Sequence, residues 1–303
     1  MNTKLPSDQV QFCLPNLDSL ESSEQAFANA FLRTAQILHQ CLEQIKSVAS
    51  AIADFTNKPF NLTILGLFGK MSSHYYSYVL LEIYHQDRTG SNFLSEQLAE
   101  AAITLTYLLE EADNSLFSAY ISDSIAQAKR LLGDVTNALQ QSPTNSDLLQ
   151  LKAKLEAFVA THQEYGATPT YLSLTDVACI THSESLTAKR AQALGFKFII
   201  NPARTIALQV EPASWLDLHL NHSPLVTNSS SEREINFTQL RDASHLCLHA
   251  ARTFLDEIEE NHYFTTANFE SQQRLNMLYE WFYNAHQLYS SAKKSTEGND
   301  RPN

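Results

Sequence analysis

Glu82 and His85 stand three residues apart, and so do Glu259 and His262. On a helix that spacing puts a carboxylate and an imidazole on one face. Two such pairs, with two further glutamates, can hold two metal ions inside a helical bundle. Glu96 and Glu100 offer a third helix, and Glu24 or Glu43 a fourth. Against this, 20 glutamates and 11 histidines in 303 residues give about 0.7 such pairs from composition alone. His262 falls where its helix is expected to end, and Glu24 and Glu43 lie off the apolar seam of theirs. The competing reading is solvated glutamates and helix-end histidines. The sequence predicts no bound metal and no cofactor.

His245 and His249, four residues apart, form the second constellation, with Asp242 one turn earlier. Two imidazoles on one helix face are half of a zinc site. His219 and His222 complete it only if their loop folds back. Cys247 falls off the histidine face and is expected in the core. No nucleophile elbow, phosphate-binding glycine loop, dinucleotide fingerprint or His-Glu-x-x-His occurs.

Composition narrows the classes further. The net charge is -12, with Lys plus Arg 21 and Asp plus Glu 33. DNA is therefore not an expected partner, and RNA is disfavoured, because phosphate contacts need clustered cations. Only 7 glycines and 9 prolines leave little room for a turn-rich β-fold. Cys13, Cys41, Cys179 and Cys247 are spaced too widely for a metal knuckle and are expected as reduced thiols. The first residues lack the apolar run of a secretory signal, and no stretch of 18 apolar residues marks a membrane span. A cytoplasmic protein without membrane contact is the expectation. The sequons at Asn61, Asn228 and Asn236 are expected to carry no meaning.

The elements follow from periodicity. After an irregular lead, a helix is predicted from residue 18 or 19 to the Lys58-Pro59 break. Phe27, Phe31, Thr34, Leu38, Cys41, Ile45, Val48, Ile52 and Phe55 step by four and three along it. Such a helix has nearly 40 residues, about 55–60 Å, and would outreach a compact domain. A second copy covering its end is one solution, and wrapping by the chain's own helices is the other. The stretch 63–85 is apolar on almost every side, with Tyr75, Tyr76, Tyr78 and Tyr84. It is expected at the centre of a bundle or at an interface.

Further helices are predicted over 92–111, with Ser91 as cap, and over 114–141 and 145–163. Two more follow over 237–260 and 269–292. Between them, 166–236 changes character: a short helix over 171–182, then alternation over 196–210 that suggests a hairpin.

The run from Glu100 to Glu110 (EAAITLTYLLE), with Tyr171-Leu172-Ser173 and His182-Ser183, resembles an uncharacterised bacterial helical domain family of unknown function. That family is distantly similar to the HEPN group of helical bundles. The resemblance covers about a third of the chain and implies a helical fold. Where the pattern has a basic residue one turn before the helix glutamate, this chain has Glu96. HEPN ribonucleases use an arginine and a histidine with four to six residues between them, the arginine to steady phosphate charge and the histidine to move a proton. Arg33 and His39 match that spacing, which composition alone supplies about once. The alternative is two surface residues flanking the seam.

The sequence therefore predicts an all-α fold: a bundle of long antiparallel helices over 18–292 with one irregular or β-hairpin insertion at about 166–236. An irregular lead, 1–17, and a disordered tail, 293–303, flank it. The expected function is work through protein–protein contacts, including self-association. An HEPN-like RNA-binding or RNA-cleaving protein and a metal-binding bundle are the alternatives.

Overall fold

The computed structural model describes residues 12–21, 23–56, 58–85, 88–110, 114–162, 190–191, 194, 235–260 and 267–299. The fold is all-α, and among the described residues there is no strand. The expected hairpin over 196–210 and the short helix over 171–182 lie outside them.

The helices are α1 (Glu24–Ser50), the single turn α2 (Ala53–Thr56), α3 (Pro59–Leu80), α4 (Arg88–Glu110), α5 (Asn114–Gln141), α6 (Ser146–Thr161), α7 (Phe237–Glu260) and α8 (Ala267–Asn299). A π turn, Leu81–His85, extends α3. The chain divides into two compact units, one of residues 1–109 and 190–303 and the other of 110–189.

In the first unit, α1, α3, α7 and α8 form a four-helix bundle. Ring and hydrogen-bond partners give its directions. Phe68 of α3 stacks on Phe254 of α7 at 4.5 Å, and Tyr75 reaches Ser244 at 2.9 Å, so α3 and α7 run antiparallel. Phe27 meets Tyr289 and Gln44 meets Arg274, so α1 and α8 are antiparallel too. Phe27 of α1 and Phe55 of α2 meet Phe237 and Phe254 respectively, so the run from α1 into α2 is parallel to α7, across the diagonal. This is an up-down arrangement, interrupted after its second helix by everything from α4 to residue 236. α4 adds Leu98, Ala101, Ala102 and Leu105 to the same core.

The seam predicted on α1 is buried from Phe27 to Ile45, where Phe31, Leu38 and Ile45 keep at most 5 % exposure, whereas Val48 and Ile52 are half-buried. Thr34 is buried there because its hydroxyl donates to the Ala30 carbonyl at 3.0 Å. The buried face is wider than a seam, since Ala28, Ala35, Leu42 and Ala49, each seven residues on from the last, are buried too. One helix enclosed by three neighbours needs such a face.

Several expectations are corrected. The first helix has 27 residues, not nearly 40. It starts where the Ser23 hydroxyl accepts from the Ala26 N–H and stops at Ser50. Ile52 then turns out of the helix, its carbonyl taking the Phe55 and Thr56 N–H groups, and Phe55 swings into the core edge-on to Phe254. At about 40 Å, α1 is covered by its own chain, so its length gives no reason for a second copy. Ser91 is no cap but a fully buried residue inside α4. The last helix continues through 293–299, where a disordered tail was expected.

The lead is irregular, as expected, but it is fastened. Trp281 Nε1 donates to the Pro15 carbonyl at 2.8 Å, and Arg274 lies 5.7 Å from the Phe12 ring centre. α3 behaves as its composition implied: Tyr75, Tyr78 and Val79 are fully buried, while Tyr84 is 57 % exposed.

The second unit holds α5 and α6, antiparallel across a short loop. Asn145 caps α6, its Oδ1 accepting from the Asp147 and Leu148 N–H groups at 3.0 and 3.1 Å. Phe117, Ile121, Ile125, Ala128 and Val135 form the buried stripe of α5.

Candidate functional site

Arg33 and His39, paired by spacing, separate in space. Arg33 is exposed, whereas His39 is half-buried and stacked on Tyr76, ring centres 5.0 Å apart. Six residues of helix turn them about 120° apart. Instead of Arg33, His39 meets two residues that spacing could not have linked to it. The Ser72 hydroxyl, fully buried, donates to Glu43 Oε1 at 2.7 Å, and His39 Nδ1 is 3.3 Å from the same oxygen. The one hydroxyl hydrogen goes to the carboxylate, so Nδ1–H of His39 must be the donor to Ser72.

A serine nucleophile needs the reverse, an imidazole that accepts its proton. This Ser-His-Glu group therefore fastens α1 to α3 and has no activated nucleophile. Burial pushes the Glu43 carboxyl up, but Lys46, Ser72 and His39 together outweigh it and hold it below the usual range. Gly69 lets Lys46 lie close, since a Cβ there would stand 3.3 Å from Lys46 Cδ.

Among the described residues no group of three His, Cys, Asp or Glu side chains is placed to hold a metal ion. Glu82 is buried on the π turn, at 1 % exposure. The side chain of His85 and the whole of His262 lie outside the described residues, as do His182, His219 and His222. Glu259 is exposed and accepts from Gln272 at 3.3 Å. Glu100 pairs with Lys70 at 3.8 Å. Glu24 holds the entry to α7, accepting from the Ile235 N–H at 2.8 Å. Of the residues carrying the family resemblance, Tyr107 lies under the Arg190 guanidinium at 6.0 Å, and 171–183 is not described.

His245 and His249 do share a face of α7, and the surroundings of that face oppose a cation. Tyr279 of α8 stacks on His245 at 4.3 Å and lies 5.2 Å from Arg252. His245 bonds the Tyr279 main chain, and its Nε2 is buried with no hydrogen-bond partner among the described residues. Burial, with Arg241 nearby, lowers its pKa to about 4.

One turn away Arg241 donates to His286 Nδ1 at 2.9 Å, and through Nε and Nη2 to Asp242 Oδ1 at 2.9 and 2.6 Å. A guanidinium only donates, so His286 carries its hydrogen on Nε2 and gives it to Thr238 Oγ1 at 3.0 Å. Asp242, the predicted neighbour of a zinc half-site, is thus engaged by Arg241. Cys247 is fully buried, as its position off the histidine face implied, and burial raises its thiol pKa. The seam continues as Arg252 to Asn276 and Gln272 to Asp256. It is a ladder of polar pairs joining two helices, with the pKa values of His245 and His286 lowered, first of all by burial.

The second unit leaves a run of apolar side chains uncovered on one helix. α6 has Leu148, Leu149, Leu151, Leu155, Phe158 and Val159 in 16 residues, and none of its residues is buried. Leu149 and Leu151 are 47 and 44 % exposed, and Leu131 of α5 is 48 % exposed. The sequence predicted a helix over 145–163 and gave Leu131, Leu149 and Leu151 no functional role. No helix among the described residues is long and apolar enough to cross a membrane. Comparison with family models, curated proteins and solved structures finds no match to this chain.

Proposed function

We propose that this protein works through protein–protein contacts, and that the α5–α6 hairpin is the element that makes them. The observation that carries this is α6 itself: six apolar side chains in 16 residues and no buried residue. A short helix in water draws its stability from packing an apolar face. α5 covers one side of α6 only, so the exposed leucines are surface that a partner can bury. The groups with chemical potential support the same reading. Ser72, His39 and Glu43 are tied to one another, and Arg241 is tied to Asp242 and His286.

Site-specific photo-crosslinking tests the proposal. A photoreactive residue at Leu151, in cells making the full chain, should give one discrete adduct. The same residue at Gln36, exposed on α1, should give none. No adduct from Leu151, or equal adducts from both positions, would overturn the reading.

A further inference from the structure

We infer that the partner of the α5–α6 hairpin is a second copy of this chain, joined hairpin to hairpin; the inference rests on the protein-contact reading. Charge and register carry it.

The chain bears -12, and two copies repel wherever that charge is concentrated. The α5–α6 hairpin is free of it. Over residues 114–161 four cations, Lys129, Arg130, Lys152 and Lys154, balance four carboxylates. All the net charge therefore lies elsewhere, and the hairpin is an element that a like-charged copy can approach. Cations and carboxylates are mixed along both helices, so a two-fold partner can set opposite charges against each other at the rim.

The exposed leucines are placed alike on the two helices. Leu131 comes three residues after Ala128 and four before Val135, both buried in the α5 stripe. Leu151 comes three residues after Leu148 and four before Leu155, the half-buried stripe of α6. Each lies on the same margin of its stripe, and in an antiparallel pair equal margins face the same side. Leu131 and Leu151 thus share one flank of the hairpin. A helix pair can bury only the faces that its two members turn to each other. Two pairs laid flank to flank make a four-helix layer and bury the margins too.

Light scattering on the purified full chain, at micromolar concentration, is the test. The mass should move from 34.1 kDa towards twice that value as concentration rises. Added salt should strengthen association, because it screens the repulsion between two -12 chains while the neutral interface loses little. Leu131→Lys with Leu151→Lys should weaken association at least about tenfold with unchanged circular dichroism. Leu288→Lys, on exposed α8 surface, should not weaken it.

A mass of 34.1 kDa at every concentration and salt overturns the second-copy inference, and so does a dimer indifferent to the hairpin variants. The Leu151 crosslink separates the two proposals. An adduct of twice the chain mass supports both, and a discrete adduct of any other mass removes only the second copy. If the double variant does not fold, the salt dependence and the adduct mass still decide.

Discussion

Arg241 donates to Nδ1 of His286 at 2.9 Å, and this one bond fixes which nitrogen of the imidazole carries its hydrogen. Protonating His286 would set an N–H against an N–H, so the bond must break for the ring to charge. Burial and the same arginine lower the pKa of His286, with Asp242 opposing. His245, one turn further along α7, is lowered to about 4 by burial first and by Arg241 second.

The pH dependence of stability follows from the direction of these shifts. Above about 6.5, the ordinary value for His245, folded and unfolded chains both carry it neutral and its contribution is complete. As pH falls towards about 4 the unfolded chain takes up the proton and the folded chain does not, so stability is lost. The loss should be about 1–2 kcal/mol, less than the full shift implies because the ring is partly solvated. His245→Phe keeps the stack on Tyr279 and should flatten the Tm profile between pH 7.5 and 5. A variant profile as steep as the wild type's would remove His245 as the cause.

Glu43 acts in a different window. Its carboxyl is held below the ordinary 4.5, so its contribution is present above that value and is lost below it. Ser72→Ala should cost about 1–3 kcal/mol, since it leaves a carboxylate and an imidazole short of a partner. A double-mutant cycle with Glu43→Gln should show a coupling of about 0.5–3 kcal/mol. Strict additivity in denaturant melts would mean that the 2.7 Å bond does not stabilise the fold.

The α1 face gives a graded series. Leu38→Ala and Ile45→Ala, both in the closed core, should each lower stability by about 2–5 kcal/mol. Val48→Ala, at a half-buried position in the last turn, should cost well under that. Equal losses at the three positions would contradict the packing described.

Trp281 should report on the lead. Trp281→Phe removes the donor to the Pro15 carbonyl at a cost of about 1 kcal/mol. Hydrogen exchange over residues 12–21 should quicken while the amides of α3 and α7 keep their protection. Unchanged exchange in the lead would show that its apolar residues, Leu14, Leu17 and Leu20 among them, hold it without the hydrogen bond.

The sequence by itself determined the helical elements and most of their buried faces. Periodicity is local, so Phe27, Phe31, Leu38 and Ile45 announce a buried stripe before any partner is known, and Lys58-Pro59 announces a helix break. The four-and-three spacing also continued smoothly through Val48, Ile52 and Phe55, past Ser50, where α1 ends. No glycine or proline marks that break; it follows from Phe55 turning in to meet Phe254, some 200 residues away.

Which helices pair, and therefore which polar groups meet, was decided by tertiary structure alone. Ser72 lies 33 residues from His39 and 29 from Glu43, and Arg241 lies 45 from His286. Motifs at short spacing pointed elsewhere, to Arg33 and to a zinc half-site on α7. Spacing records which residues share one face of one helix. It does not record what the neighbouring helix brings to that face, and here the neighbours brought a serine, a tyrosine and an arginine that tie the histidines down. Leu131 and Leu151 show the same limit from the other side: their types and positions are plain in the sequence, but only the packing leaves them uncovered.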